Sequence, residues 1–303
     1  MNDGRPLVFF GTSDFSVPTL EQLIDGEYKV VAVVTQPDRT GGRGKKPLIP
    51  AVKQLAEQYN IPVLQPTQFD DELTSTLATL KPYAGVSVSY GRIIPSGVLE
   101  LFPGGVINIH TSLLPKYRGS SPIEQAILHG DKETGISLMQ LDEGMDTGPV
   151  YLRAKQPLRG DETRPELYDQ LSQLGAITLL EHLDDILDGD LTPKPQAEGE
   201  ATKAPMISKS DGVIDWHKPA QQLEREIRAY LGWPGSRCML FDREVTITKA
   251  HVDELGDLPA GEVETSGQAL RVGTGTQVLN IEYLKPAGKN EMTAADFLRG
   301  LSR

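Results

Sequence analysis

Asn108 and His110 lie two residues apart at the end of Gly105-Val106-Ile107-Asn108-Ile109-His110, a run of β-branched residues that reads as a buried strand. Side chains alternate along a strand, so both fall on one face, about 7 Å apart, at its C-terminal end. Ser112-Leu113-Leu114-Pro115 and Tyr117-Arg118-Gly119 follow at once, and Asp142-Glu143-Gly144-Met145-Asp146-Thr147-Gly148 comes after the next strand candidate, Gly135 to Leu141. A lone histidine at a strand end is usually structural, and an aspartate in a glycine-rich turn is usually turn chemistry. Together, the amide of Asn108, the imidazole of His110 and the carboxylate of Asp146 can stabilise a tetrahedral oxyanion and move a proton. That is acyl-transfer chemistry, needing neither a metal nor a nucleophilic serine.

These residues need a scaffold that brings strand ends together, and the N-terminal half alternates accordingly. Leu7–Phe10, Tyr28–Thr35 and Tyr83–Ser89 read as strands; residues 50–59, 70–80 and 122–129 read as helices. Leu167, Leu171, Leu174, Leu180, Leu183 and Leu187 trace an apolar stripe on a long helix. Alternation of this kind implies a Rossmann-like, mostly parallel α/β sheet, whose ligands gather beyond the strands' carboxyl ends. From Asp190 to Ile207 prolines, glycine and polar residues take over, the texture of a linker. Beyond it a helix with Leu223 and Ile227 and four short strand candidates (238–241, 244–250, 269–273 and 277–283) suggest a small β-barrel. The division expected is therefore residues 1–189, a linker at 190–207, and residues 208–303.

Composition narrows the class. A chain of 303 residues with 38 % hydrophobic content can bury two cores. It has no apolar run long enough to span a bilayer and opens without a signal-peptide pattern, so a cytoplasmic protein with no membrane partner is expected. One cysteine, Cys238, rules out an internal disulfide and CxxC metal sites, and the five histidines lack metal-binding spacing. No metal is expected. Gly11-Thr12-Ser13-Asp14 is neither a dinucleotide fingerprint nor a P-loop. The net charge of −12 argues against nucleic acid at first, but many of the acids crowd residues 161–200. Arg39, Arg43, Lys45, Lys46 and Lys53 instead make a locally basic loop, and its glycines 41, 42 and 44 leave the backbone free to move. Fields fall off within roughly 8 Å at physiological salt, so such a loop can engage phosphates on an acidic protein.

Asn-x-His, SLLP and DxGxDTG in this order and spacing resemble the formyltransferases that use 10-formyltetrahydrofolate. The likeness runs on through Thr35-Gln36-Pro37-Asp38-Arg39, Gly42-Arg43-Gly44-Lys45-Lys46 and Ser89-Tyr90-Gly91. In the second half it includes Ile214-Asp215-Trp216, Ile227-Arg228-Ala229, Trp233-Pro234-Gly235 and Lys285-Pro286-Ala287-Gly288-Lys289. Over nearly the whole chain it is similar to the methionyl-tRNA formyltransferases. The resemblance implies transfer of a formyl group from 10-formyltetrahydrofolate to the α-amine of methionine on initiator tRNA. It implies a Rossmann-like catalytic domain and an OB-like barrel that binds tRNA, with Asn108, His110 and Asp146 catalytic. Ser112, Leu113, Leu114 and Pro115 would form one wall of the folate pocket and Tyr90, Gly91 and Ile93 the other. Arg43, Lys45 and Lys46 would contact the tRNA acceptor end, and a monomer is expected. Two alternatives stay open: a sugar-nucleotide formyltransferase, which generally lacks the TQPDR and GRGKK segments, and a noncatalytic RNA- or folate-binding protein.

Overall fold

Runs such as Leu7-Val8-Phe9-Phe10-Gly11 and Ala84-Gly85-Val86-Ser87-Val88 are buried along their whole length, as central strands of a parallel sheet covered on both faces must be. The structure, a computed structural model, describes residues 4–41, 46–254 and 256–301. In chain order it runs β1 (Leu7–Gly11), α1 (Val17–Asp25), β2 (Val30–Val34), β3 (Arg39–Gly41), β4 (Lys46–Leu48), α2 (Ala51–Gln58), β5 (Val63–Leu64), α3 (Asp71–Thr79), β6 (Ala84–Val88), α4 (Ser96–Leu99), β7 (Val106–His110) and β8 (Arg118–Gly119). It continues with α5 (Pro122–His129), β9 (Glu133–Gln140), β10 (Val150–Pro157), α6 (Arg164–Asp188), β11 (Lys203–Ala204), α7 (Ala220–Ala229), β12 (Ser236–Leu240), β13 (Arg243–Asp253), β14 (Val263–Ser266), β15 (Ala269–Gly273), β16 (Val278–Pro286), β17 (Met292–Thr293) and α8 (Ala294–Arg299). Two compact units result: residues up to Gly119 with Thr134–Pro157 and Tyr168–Lys203, and Ser120–Glu133 with Leu158–Leu167 and everything from Ala204 on.

The first unit is built on a seven-stranded sheet of order β10-β9-β7-β6-β1-β2-β5. Strands β5, β2, β1, β6 and β7 are parallel, and β9 joins antiparallel to β7. The chain runs outward from β1 to β5, then returns to β6 on the other side of β1. That reversal opens a crevice at the strands' carboxyl ends, where ligands bind in open α/β sheets. Register sets Asn108 beside Ser87 and Met139, and His110 beside Ser137. Asp70 caps α3 by accepting the Leu73 N–H at 2.9 Å. Gly175 lets α6 lie close to β7, because a Cβ there would stand 2.7 Å from Ile109.

Among the elements of this unit that the sequence does not announce, β10 and the β3–β4 hairpin matter most. β10 is an edge strand whose outward positions carry Arg153 and Lys155, so its apolar pattern is weak and its charges discourage further pairing. The basic loop, expected to be free, begins and ends in a short antiparallel hairpin that pairs Arg39 with Leu48 and Thr40 with Pro47. Arg43 and Lys45 lie outside the described residues, while Lys46 opens β4.

The second unit is a six-stranded antiparallel sheet of order β12-β13-β16-β15-β14, with β17 added on β16. Alternation turns Val245, Ile247, Leu279, Ile281 and Leu284 inward, where they meet Leu223 and Ile227 of α7 and Phe297 of α8. Cys238 packs against this core, and burial pushes its thiol up to about 12, so no thiolate forms near neutrality. Thr293 starts α8 by accepting the Asp296 N–H at 3.1 Å, a cap spelled out by the residues themselves. The expected fold class is what forms, a mostly parallel α/β unit followed by a small antiparallel β unit.

The closeness of α6 to β7 gives a direct test. Gly175→Leu should cost about 1–3 kcal/mol through overpacking against Ile109. Gly199→Ala, where an added Cβ meets nothing within 4 Å, should change stability by less than about 0.5 kcal/mol. Urea denaturation of both variants checks the pair.

Candidate active site

His110 is buried at the carboxyl end of β7, and both ring nitrogens face protein acceptors. Its Nε2 lies 2.9 Å from the Tyr117 carbonyl oxygen, and its Nδ1 lies 3.5 Å from Asp146 Oδ1. A carbonyl oxygen can only accept, so Nε2 carries a hydrogen and donates it. In the neutral ring Nδ1 is therefore a lone pair facing a carboxylate; in the imidazolium it is a second donor facing the same group. Any donation from His110 to a reacting oxygen must come from Nδ1. The 3.5 Å separation leaves that nitrogen room to reorient its bond.

Asp146 reaches this position through a strained turn. Its φ is +56°, in the left-handed region, and its Oδ2 accepts the Gly119 backbone N–H at 2.8 Å. Asp142 shapes the loop from within, accepting from Gly144 N at 3.0 Å and from the Thr147 hydroxyl at 2.8 Å. Gly148 has no substitute here, because a Cβ would lie 1.9 Å from the Gln140 carbonyl oxygen. Asn108 is half-buried, and its side-chain amide makes no hydrogen bond among the described residues. The structure thus gathers Asn108, His110 and Asp146, leaving the amide unspent.

The Ser112–Pro115 stretch divides its work. Ser112 is fully buried; its hydroxyl donates to the Lys116 carbonyl at 2.5 Å and its carbonyl accepts from Ser137 at 2.7 Å. Leu114 packs into a cluster with Met139 and Val150, and its N–H donates to Ser137 Oγ at 3.0 Å. Leu113, Leu114 and Pro115 also edge a cleft of about 580 Å³ with Arg153, Pro195 and Thr202. None of Asn108, His110 and Asp146 lines that cleft, so the chemistry follows from side-chain geometry and not from this hollow.

The loop after β6 is arranged similarly. Tyr90 is buried, its ring edge-on to Phe10 at 5.7 Å and Phe69 at 6.1 Å, and burial raises its phenol above the ordinary range. Its carbonyl accepts from Thr12 Oγ1 and Gln36 Nε2, both at 2.9 Å. Gly91 has φ +77°, and a Cβ there would come 2.7 Å from the Gln36 amide. Ile93 stands out at 64 % exposure. The side chain offered to a ligand by this stretch is Ile93; Tyr90 and Gly91 shape the backbone.

Three contributors carry no motif signal. Ser137, in the middle of β9, bridges Ser112 and Leu114. Thr202 donates its backbone N–H to the Pro115 carbonyl at 3.2 Å, and its hydroxyl accepts from Tyr117 N at 2.8 Å. Gln196 donates to the backbone carbonyls of Asp146 and Gly148. The last two lie within residues 190–207, where the sequence texture suggests only a tether. Among the described residues no group of three or more His, Cys, Asp or Glu could hold a metal ion, and no helix is long and apolar enough to cross a membrane.

Comparisons with known proteins bear on this geometry. Residues 5–183 match the formyl transferase family and residues 206–302 match the formyl transferase C-terminal domain. A methionyl-tRNA formyltransferase of Desulfotalea psychrophila is 43 % identical over 297 residues, covering 97 % of this chain and 92 % of its own. One from Halorhodospira halophila is 42 % identical over 300 residues, covering 97 % and 96 % respectively. Among solved structures, an N-formyltransferase from Helicobacter canadensis, in complex with folinic acid and dTDP-3-aminofucose, matches with a TM-score of 0.69 at 20 % identity, covering 91 % of this chain and 98 % of its own. At that identity the likeness is one of fold.

Tyr168 fastens the loop after β1 to α6 and supplies an alkaline test. Its hydroxyl donates to Asp14 at 2.6 Å and accepts the Phe15 N–H at 3.0 Å. Burial, reinforced by Asp14, pushes the phenol up to about 12 from its ordinary 10. A value raised on folding favours the neutral form, so its contribution is full below pH 10 and is lost as pH rises through 12. Tyr28 and Tyr230, also raised to about 12, act in the same direction. Tyr168→Phe should be less stable at neutral pH yet lose stability less steeply above pH 10, as urea midpoints measured across that range would report.

Proposed function

We propose that this chain, which belongs to the methionyl-tRNA formyltransferases of the formyl transferase family, carries the formyl group of 10-formyltetrahydrofolate to the α-amine of methionine on initiator tRNA. The observation that carries the reading is the His110–Asp146 pair set beside the unspent amide of Asn108. Relatives named methionyl-tRNA formyltransferase, above 40 % identical over nearly the whole chain, favour this substrate over an amino-sugar nucleotide. The proposal includes a cytoplasmic monomer working without a metal.

The residues fit such a reaction. The methionyl amine attacks the formyl carbon; an N–C bond forms and the carbonyl π pair moves onto oxygen. Asn108 donates an N–H to that oxygen, and His110 donates from Nδ1 when its ring is protonated. Donors already aimed at the developing charge need no reorganisation, which is why removing one costs on the order of 10²–10³ in rate in other acyl-transfer enzymes. Asp146 stabilises the imidazolium through its charge and accepts the proton that the attacking amine sheds, directly or through water. Collapse of the intermediate breaks the bond from carbon to N10, and the proton returns to N10 as tetrahydrofolate leaves. No covalent enzyme adduct is needed, in keeping with a Cys238 thiol held in its neutral form.

Substrate contacts follow from the same reading. Folate lies between the Ser89–Ile93 loop and the Ser112–Pro115 segment, with exposed Ile93 as an apolar contact and backbone groups reading the pterin edge. Arg43, Lys45 and Lys46 contact the acceptor end through their charge, and the C-terminal antiparallel unit extends the tRNA footprint.

Asp146→Asn should keep folate-analogue binding and lower kcat by orders of magnitude in a formylation assay with charged initiator tRNA. Asn108→Ala and His110→Ala should lower kcat more than they raise KM, each by roughly 10²–10³. Near-wild-type turnover in all three would overturn the mechanism. Arg43→Ala should weaken use of methionyl-tRNA without changing folate binding, most at low salt, and Arg43→Lys should recover part of the loss. Identical kcat/KM at every salt concentration would remove the loop from the tRNA interface.

A further inference from the structure

We propose that Gln196 is a positioning residue, clamping the loop that carries Asp146 to the segment that fixes His110; this rests on the catalytic reading of that pair. Gln196 is nine-tenths buried, and both halves of its amide are committed. Its Nε2 donates to the Asp146 carbonyl at 2.8 Å and to the Gly148 carbonyl at 2.7 Å. Its Oε1 accepts from Arg118 Nε at 3.0 Å. Arg118 spends its other two nitrogens on Glu198, at 3.0 and 2.7 Å.

The position of Arg118 gives the clamp its meaning. Immediately before it, the Tyr117 carbonyl fixes the ring of His110; immediately after it, the Gly119 N–H holds Asp146 Oδ2. One side chain therefore ties both ends of the catalytic pair to each other. It touches Asp146 through the main chain, leaving the carboxylate oxygens to Gly119 and His110. Asp142 braces its loop through Gly144 and Thr147, and neither contact reaches the Asp146 peptide. The left-handed turn at Asp146, costly for a side chain with a Cβ, thus receives its carbonyl anchor from Gln196. The hydrogen bonds that Arg118 donates to Glu198, and after them the negative field of Asp142 and Asp146, raise its affinity for its proton.

Chemistry distinguishes the amide from its near isosteres. Gln196→Glu keeps size and an acceptor for Arg118 but turns carboxylate oxygens toward two carbonyls. Gln196→Met keeps volume and loses all three bonds. Both variants should fold and bind a folate analogue within about twofold of wild type. Both should lower kcat for formylation by roughly tenfold to a hundredfold with KM little changed, the scale expected when a reacting group is misplaced from a distance. Independently of any substrate, amide hydrogen exchange at Gly119 should quicken by at least about tenfold, because Oδ2 of Asp146 no longer holds that N–H. Wild-type kcat together with wild-type Gly119 protection in Gln196→Glu would overturn the proposal. So would an equal loss of folate binding and turnover, which marks a general structural role. If wild type formylates no tRNA, the functional reading fails separately, and the exchange rate at Gly119 still decides the clamp.

Discussion

The carboxylate of Asp146 is the point on which the site depends. One oxygen is held by the Gly119 backbone N–H and the other faces His110 Nδ1, so the group has one orientation. Everything around it serves that placement. The Tyr117 carbonyl settles which nitrogen of His110 bears hydrogen, and the left-handed backbone at Asp146 turns the side chain toward the ring. A charge-assisted hydrogen bond to a main-chain N–H is a rigid tether in a way that a flexible side-chain partner is not.

The sheet supplies the other coordinates. β7 ends where Asn108 and His110 share a face, and β9, antiparallel to it, delivers Ser137 opposite His110. Ser137 then fixes the Ser112–Leu114 backbone, so a residue two strands of sequence away sets the loop that follows His110. Glycines occur where main chains must nearly touch: Gly175 over Ile109, and Gly148 against the Gln140 carbonyl. These contacts bring α6 and the Asp142–Gly148 loop close enough for the site to form.

Much of this is legible in the residues themselves. The parallel strands announce themselves as runs of valine, isoleucine and phenylalanine, the long helix by its leucine spacing, and α3 by its capping aspartate. Asn108, His110 and Asp146 stand out because their types and order fit one chemistry. Other features leave no local trace. Tyr90 reads as a pocket wall from its neighbours, yet its side chain turns into an apolar cluster, since a motif does not say which face of a loop is buried. β10 escapes notice because an edge strand alternates weakly. Gln196 and Thr202 lie in a proline-rich stretch with the composition of a tether; their hydrogen bonds depend on chain crossings remote in sequence. Pro and Gly record where regular structure stops, not whether the segment is free.

The most direct measurement compares acceptors under one donor. With 10-formyltetrahydrofolate supplied, formyl transfer would be followed to charged initiator tRNA, to the same tRNA without methionine, and to an amino-sugar nucleotide. The account predicts product on methionyl-tRNA alone, abolished to background when Asp146 becomes asparagine. Transfer to the amino sugar with none to methionyl-tRNA, or unchanged transfer by the Asp146→Asn protein, would contradict it.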